Sequence, residues 1–156
     1  MPIAVFDIDG VVADVRHRVR HVEGRHKNWG RFFDLAAKDT GSPEGISWVH
    51  RAAQTLEIVW LTGRPEWLRP VTAHWLATQA LPEGQLIMRP DHDYRPARLY
   101  KLDQLRQLAT REIAVFVDDD PDVITAAAAA GFTASLATWL PRNSALSDAQ
   151  ERAGRT

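Results

Sequence analysis

The chain contains no cysteine. That removes three options together: a disulfide framework, a thiolate zinc site and a cysteine nucleophile. No apolar run approaches the ~18 residues of a membrane-crossing helix. The first residues lack the basic-then-apolar pattern of a leader, so the expected location is the cytoplasm, without a membrane. Net charge is almost absent too, at −1 over 156 residues. This argues against a whole-molecule electrostatic role but leaves room for a local patch. No Gly-x-x-x-x-Gly-Lys-Ser/Thr loop occurs, which excludes a P-loop kinase. Internal repeats and low-complexity blocks are also missing.

The composition is that of an ordinary globular domain, with 45% hydrophobic and 25% charged residues. A chain of this length buries roughly 70% of its unfolded surface, so it needs no covalent staple to fold. Solid apolar blocks recur at Ile3–Ile8, Glu57–Leu61, Gln85–Met88, Glu112–Val117 and Phe132–Leu136. Such blocks read as strands buried on both faces. Between them lie helical stripes: one starting at Pro43 or Glu44, one through Trp67 to Leu76, one from Leu99 to Ala109, and an alanine-rich one over Val123–Ala130 that Gly131 ends. Alternating strands and helices predict an α/β, Rossmann-like three-layer sandwich around a five-stranded parallel sheet. Residues 1–141 form the expected domain. Residues 15–40 form a small cap insert, and the polar stretch 142–156 is expected to be a flexible tail.

Chemistry-bearing residues gather where the strand blocks end. The first block ends in Asp7, Asp9 and Gly10, the second in Thr62, Gly63 and Arg64, and the fourth in Asp118, Asp119 and Asp120. Lys101 lies in the helical stripe after the third. Parallel α/β sheets bind ligands at these carboxyl ends. Two carboxylates one residue apart call for a cation, either a hard metal or a lysine. A carboxylate such as Asp7 can attack phosphorus, and Asp9 can serve as acid and base. Lys101 would offset phosphate charge, and Thr62 would donate a hydroxyl hydrogen bond. Each signal alone is weak, because Asp-x-Asp-Gly and Thr-Gly-Arg are common turn chemistry and lysines on helices are mostly solvated. Their conjunction in order is the informative feature.

In that order these residues resemble the haloacid dehalogenase-like superfamily of phosphohydrolases, over about Ile3 to Pro141. The resemblance implies Asp7 as nucleophile, Asp9 as acid/base, and Thr62 and Lys101 as catalytic partners. It also implies Mg²⁺ on Asp7 and Asp118 and on the backbone carbonyl of Asp9, with Asp119 supporting the metal ligands. Dehalogenases lack the second aspartate, so Asp9 favours phosphoester hydrolysis. The position after Gly10 is often threonine in these phosphatases and is Val11 here.

A narrower likeness joins Leu61-Thr62-Gly63-Arg64-Pro65, Met88, Asp93, Arg95, Lys101 and Phe116–Asp119. Together they are similar to the phosphatase domain of phage-type polynucleotide kinase/phosphatases. It implies a phosphorylated substrate such as a nucleic-acid or nucleotide 3′-phosphate. A small-metabolite or 5′-nucleotide phosphatase and a non-catalytic phosphoryl-binding protein are the alternatives. The insert from Arg16 to Arg31 is strongly basic. It offers Arg16 as a substrate contact, alongside Gly63, Arg64 and Arg95 and with Arg89 on a neighbouring loop. Trp29, Phe32 and Phe33 are either base-stacking residues or packing for the insert. Trp48, Trp60, Trp67 and Trp75 read as core.

Overall fold

The apolar blocks of the sequence become one sheet. The computed structural model describes all 156 residues. In chain order its elements are β1 (Ile3–Phe6), β2 (Ala13–Asp14), α1 (Arg16–Val19), α2 (Trp29–Asp34) and β3 (Thr40–Gly41). Next come α3 (Pro43–Ala52), β4 (Glu57–Pro65), α4 (Arg69–Thr78), β5 (Gln85–Arg89) and α5 (Ala97–Leu108). The chain closes with β6 (Ile113–Asp118), α6 (Pro121–Ala129), β7 (Ala134–Leu136) and α7 (Ser144–Asp148). A π-helical turn, Ala149–Ala153, follows α7.

The main sheet has the order β5-β4-β1-β6-β7 and is parallel throughout, as the sequence predicts. β1 sits at its centre, with Phe6 beside Trp60 on one side and Val117 on the other. Alternation along the strands builds two cores. Ala4, Phe6, Ile58 and Trp60 face one layer, with Val49 and Trp75. Ile3, Val5, Val59 and Leu61 face the other, with Tyr100, Leu105 and Val123. Trp60 and Trp75 are buried as expected, whereas Trp67 is 51% exposed and does not belong to the core. Its ring packs edge-to-face with Phe33, the centroids 5.5 Å apart.

The insert is a small folded cap rather than a loose loop. Asn28 caps α2 by accepting a bond from the Arg31 amide, as its position predicts. Phe32, Phe33 and Ala36 then bury against Val22, Leu68 and Met88 in a third cluster. Two short strands, β2 and β3, pair antiparallel and close the base of the cap. The sequence reading did not include them, since two-residue strands carry no periodicity.

Residues 142–156 differ from the expected flexible tail. Asn143 caps α7 by accepting from the Ala145 amide. Ala149, Gln150, Gly154 and Thr156 are buried. The segment packs Ala145 and Leu146 on the core and pairs Arg142 with Asp119, so its mostly polar composition hid its order.

Candidate active site

The carboxyl ends of β1, β4 and β6 meet in one place. The Asp7 amide donates to the Val117 carbonyl at 3.0 Å, which sets Asp7 alongside Asp118. The chain then turns sharply, with the Ile8 carbonyl accepting from the Val11, Val12 and Ala13 amides. Gly10 has φ +79°, and a Cβ there would fall 2.0 Å from Asp119 Oδ2. Only glycine lets the turn pass so close to that carboxylate. The valine after it is accounted for as well. Val11 buries its side chain in the core, and its carbonyl accepts from Trp139 Nε1 at 2.8 Å.

Asp7, Asp118 and Asp119 are buried, and each offers a carboxylate oxygen within 4.8 Å of the others. Lys101 enters from α5, its ammonium 3.0 Å from Asp7 Oδ2 and 2.5 Å from Asp118 Oδ2. One ammonium shared between two carboxylates neutralises only one of them. Burial and the nearby Asp118 charge therefore push the Asp7 carboxyl well above its usual range, despite Lys101. Burial and Asp118 likewise raise Asp119 to about 7. Burial opposes the charge on Lys101, but Asp118 and Asp7 more than offset it and hold the ammonium above the ordinary lysine value.

Asp9 belongs to a second, adjoining cluster. Its Oδ1 accepts from Arg64 Nη2 at 2.6 Å, Arg64 Nε at 3.0 Å and Arg18 Nη2 at 3.3 Å. The same two arginines bind Asp39, each at 2.9 Å on Oδ2, with Arg18 Nε on Oδ1 at 2.8 Å. Burial alone would raise the Asp9 carboxyl, yet Arg64 and Arg18 outweigh it and the net direction is downward. Its Oδ1 is anchored, while Oδ2 has a single neighbour, the Thr156 hydroxyl at 3.5 Å.

The expected residues are thus partly gathered and partly not. Asp7, Lys101 and Asp118 stand together. Asp119, expected only to support the metal ligands, joins the carboxylate cluster directly, and the Asp9 side chain points into the arginine cluster instead. Thr62 is buried between Leu61 and Gly63, and its Oγ1 accepts from the Arg64 amide at 3.1 Å. Gly63 lies under the Thr156 main chain, where a Cβ would meet its carbonyl carbon at 2.1 Å. Arg64, expected to contact substrate, is fully buried on Asp9 and Asp39. Arg16 is exposed and paired with Asp14 at 2.6 Å, although it lines the cavity beside Asp9, Gly10 and Asp119. Arg95 is exposed and held by Asp93 at 2.8 Å.

Sequence reasoning missed Arg18, Asp39 and Arg142. Arg18 was hidden inside a basic run, where only its apolar neighbour Val19 marked an inward face. Asp39 stood alone before a turn. Arg142, in the stretch read as flexible, reaches Asp119 Oδ2 at 3.0 Å.

The residues fit a divalent cation. Six buried aspartates, Asp7, Asp9, Asp39, Asp118, Asp119 and Asp120, face four cations here, the buried Arg18, Arg64 and Lys101 and the partly buried Arg142. Asp119 Oδ1 is buried without any hydrogen-bond partner. An all-oxygen donor set with surplus negative charge suits Mg²⁺.

Comparison with known proteins bears on the same residues. Residues 4–118, from β1 to the end of β6, match the family model described as PITM 1-3, LNS2 domain. The chain belongs to this LNS2 family. No curated protein matches it. Among solved structures, this LNS2 chain resembles one from the Pnkp1/Rnl/Hen1 RNA repair complex, with a TM-score of 0.71 and 19% identity. The match covers 86% of this chain and 42% of that one, so the chain spans less than half the length of that relative. A haloacid dehalogenase-like hydrolase from Streptococcus pneumoniae gives a TM-score of 0.61 at 11% identity, covering 97% and 92% of the two chains. An enzyme of the same superfamily from Bacteroides thetaiotaomicron, in complex with magnesium and inorganic phosphate, gives 0.57 at 9% identity, covering 94% and 98%. The fold of this LNS2 member is therefore haloacid dehalogenase-like.

Proposed function

We propose that this protein is a Mg²⁺-dependent phosphomonoesterase that works through an aspartyl-phosphate on Asp7. The observation that carries this reading is the buried Asp7–Lys101–Asp118 arrangement at the sheet's carboxyl end, with a surplus of negative charge around it. Asp7 is the nucleophile: its carboxylate attacks phosphorus and the ester oxygen leaves. Lys101 holds Asp7 and its neighbour Asp118 in place and offsets the charge of the incoming phosphate. Asp9, anchored through Oδ1, enters the cycle protonated and passes that proton from Oδ2 to the leaving oxygen. It then takes a proton from the water that hydrolyses the aspartyl-phosphate. The two arginines favour the anionic form of Asp9, which suits the second of these steps. In this reading the Thr62 hydroxyl and the Gly63 amide donate to phosphoryl oxygens, which requires the Thr156 main chain to move off Gly63. Mg²⁺ held by Asp7 and Asp118, with Asp119 beside them, supplies positive charge at the phosphate when bound.

The substrate we favour is the 3′-phosphate of a nucleotide or nucleic-acid end. The similarity to a chain of an RNA repair complex supports it. So does the exposed basic rim of the cap, Arg20, Arg25, Lys27 and Arg31. The test is phosphate release from oligonucleotide 3′- and 5′-phosphates, mononucleotides and sugar phosphates, with Mg²⁺ or EDTA. Release should need Mg²⁺ and vanish in Asp7→Asn with the fold intact. Full activity in that variant would refute the mechanism, and preference for sugar phosphates would refute the substrate.

A further inference from the structure

The tail links two aromatic rings to this site, because Arg155 lies against Trp29 and Tyr94 while its neighbour Thr156 reaches Asp9. Trp29, the first residue of α2, is fixed by its neighbours: it stacks on Phe33, with centroids 6.1 Å apart and planes at 29°, and meets the edge of Phe32. Tyr94 lies on the loop after β5 and is 49% exposed. That loop is tied to the site. Arg89 Nη1 donates to the carbonyls of Arg95 and Asp93 at 2.8 and 3.3 Å, and its Nε donates to the Gly63 carbonyl at 3.3 Å. Tyr94 is therefore held a short way from Gly63.

The Arg155 guanidinium lies over both rings. Its Cζ is 4.8 Å from the Tyr94 centroid and 5.7 Å from that of Trp29. On one side, Gly154 passes so near the Tyr94 carbonyl that a Cβ would come within 2.0 Å of its oxygen. On the other, Thr156 rests on Gly63 and reaches Asp9 Oδ2. Consecutive Cα atoms are about 3.8 Å apart, so rings and reacting centre are bridged by adjacent residues. A flat delocalised group on aromatic faces, joined by a short link to a group at Asp9, is the layout of a nucleoside phosphate in this site.

We infer that Trp29 and Tyr94 form a stacking slot for the substrate's nucleobase, and that Arg155 occupies this slot until a nucleotide displaces it. The inference rests on the phosphatase reading for the position of the phosphate. Stacking would account for substrate choice, because every base has a π-face and the slot has no built hydrogen-bond code. The basic rim favours an anionic nucleotide over a cationic ligand, which an aromatic pair can also hold.

The experiment is isothermal titration of the Asp7→Asn chain, with Mg²⁺ present. Its probes are adenosine 3′-monophosphate, methyl phosphate and phosphocholine. The nucleotide should bind about tenfold or more tightly than methyl phosphate, the margin expected of one stacked base. Adding Tyr94→Ala, an exposed loop position, should erase the margin between nucleotide and methyl phosphate measured in that same variant, and Tyr94→Phe should keep it. Arg155→Ala should tighten nucleotide binding several-fold, since the competing guanidinium is gone. Equal affinity for nucleotide and methyl phosphate overturns the slot, as does a margin that survives Tyr94→Ala or one that belongs to phosphocholine. If the margin holds while the unsubstituted protein releases phosphate from no ester, the slot stands and the phosphatase reading falls.

Discussion

Gly10 and Lys101 show how narrowly single positions define this site. Alanine at Gly10 must adopt the left-handed conformation, at about 1–2 kcal/mol. It must also displace the Asp119 carboxylate, which would lie 2.0 Å from the new methyl group. Gly10→Ala should therefore lower phosphate release by tenfold or more and weaken Mg²⁺ dependence, as read in a Mg²⁺ titration of rate. Lys101 is nearly fully buried between two carboxylates. Removing one partner of a buried pair costs about 3–5 kcal/mol, because the remaining charge is left uncompensated. Lys101→Ala should lose at least about a hundredfold in kcat and unfold at lower denaturant. Lys101 was legible because an order of motifs singled it out. Arg18 and Asp39 were not, because inward and outward arginines in a basic run look alike until the cap is folded.

At the scale of elements, the strands were legible as solid apolar blocks, and each was found within a few residues of its expected bounds. The tail was not, for the opposite reason. Its order comes from hydrogen bonds and ion pairs together with a short apolar patch, Ala145, Leu146 and Ala149, too brief to read as a stripe. Arg142 alone reaches Asp119, Ser147 and Gln150. Read as a sequence, such polarity looks like solvation, and only the acidic surface beneath gives it a partner. Hydrogen bonds to a charged group contribute about 1.5–3 kcal/mol, so Arg142→Ala should raise local opening of the tail about tenfold. Limited proteolysis should nick residues 142–156 about that much faster while the sheet stays resistant. The short β2–β3 pair was also beyond reach, since its register depends on the length of the cap between the strands.

For the whole molecule, the near-zero net charge conceals a separation: an acidic cleft below, a basic rim above. The cleft's surplus charge opposes folding until a cation enters, so cation binding should appear as stability. A ligand at one hundred times its Kd adds about 2.7 kcal/mol. For a chain of this size that is roughly 5–10 °C in Tm. Mg²⁺ should raise Tm by that amount in the unsubstituted protein, and the rise should disappear in Asp118→Asn. No helix is long and apolar enough to cross a membrane.

The strand order has a temporal consequence. β1 is the first strand made but lies at the centre, and Asp7 stands beside Asp118 only after β1 pairs with β6, more than a hundred residues later. Such non-local pairing forms late and slowly. A cation therefore meets its full set of carboxylates only at the end of refolding. A cation bound there would slow unfolding and leave the folding rate unchanged, an outcome that refolding and unfolding rates with and without Mg²⁺ would read.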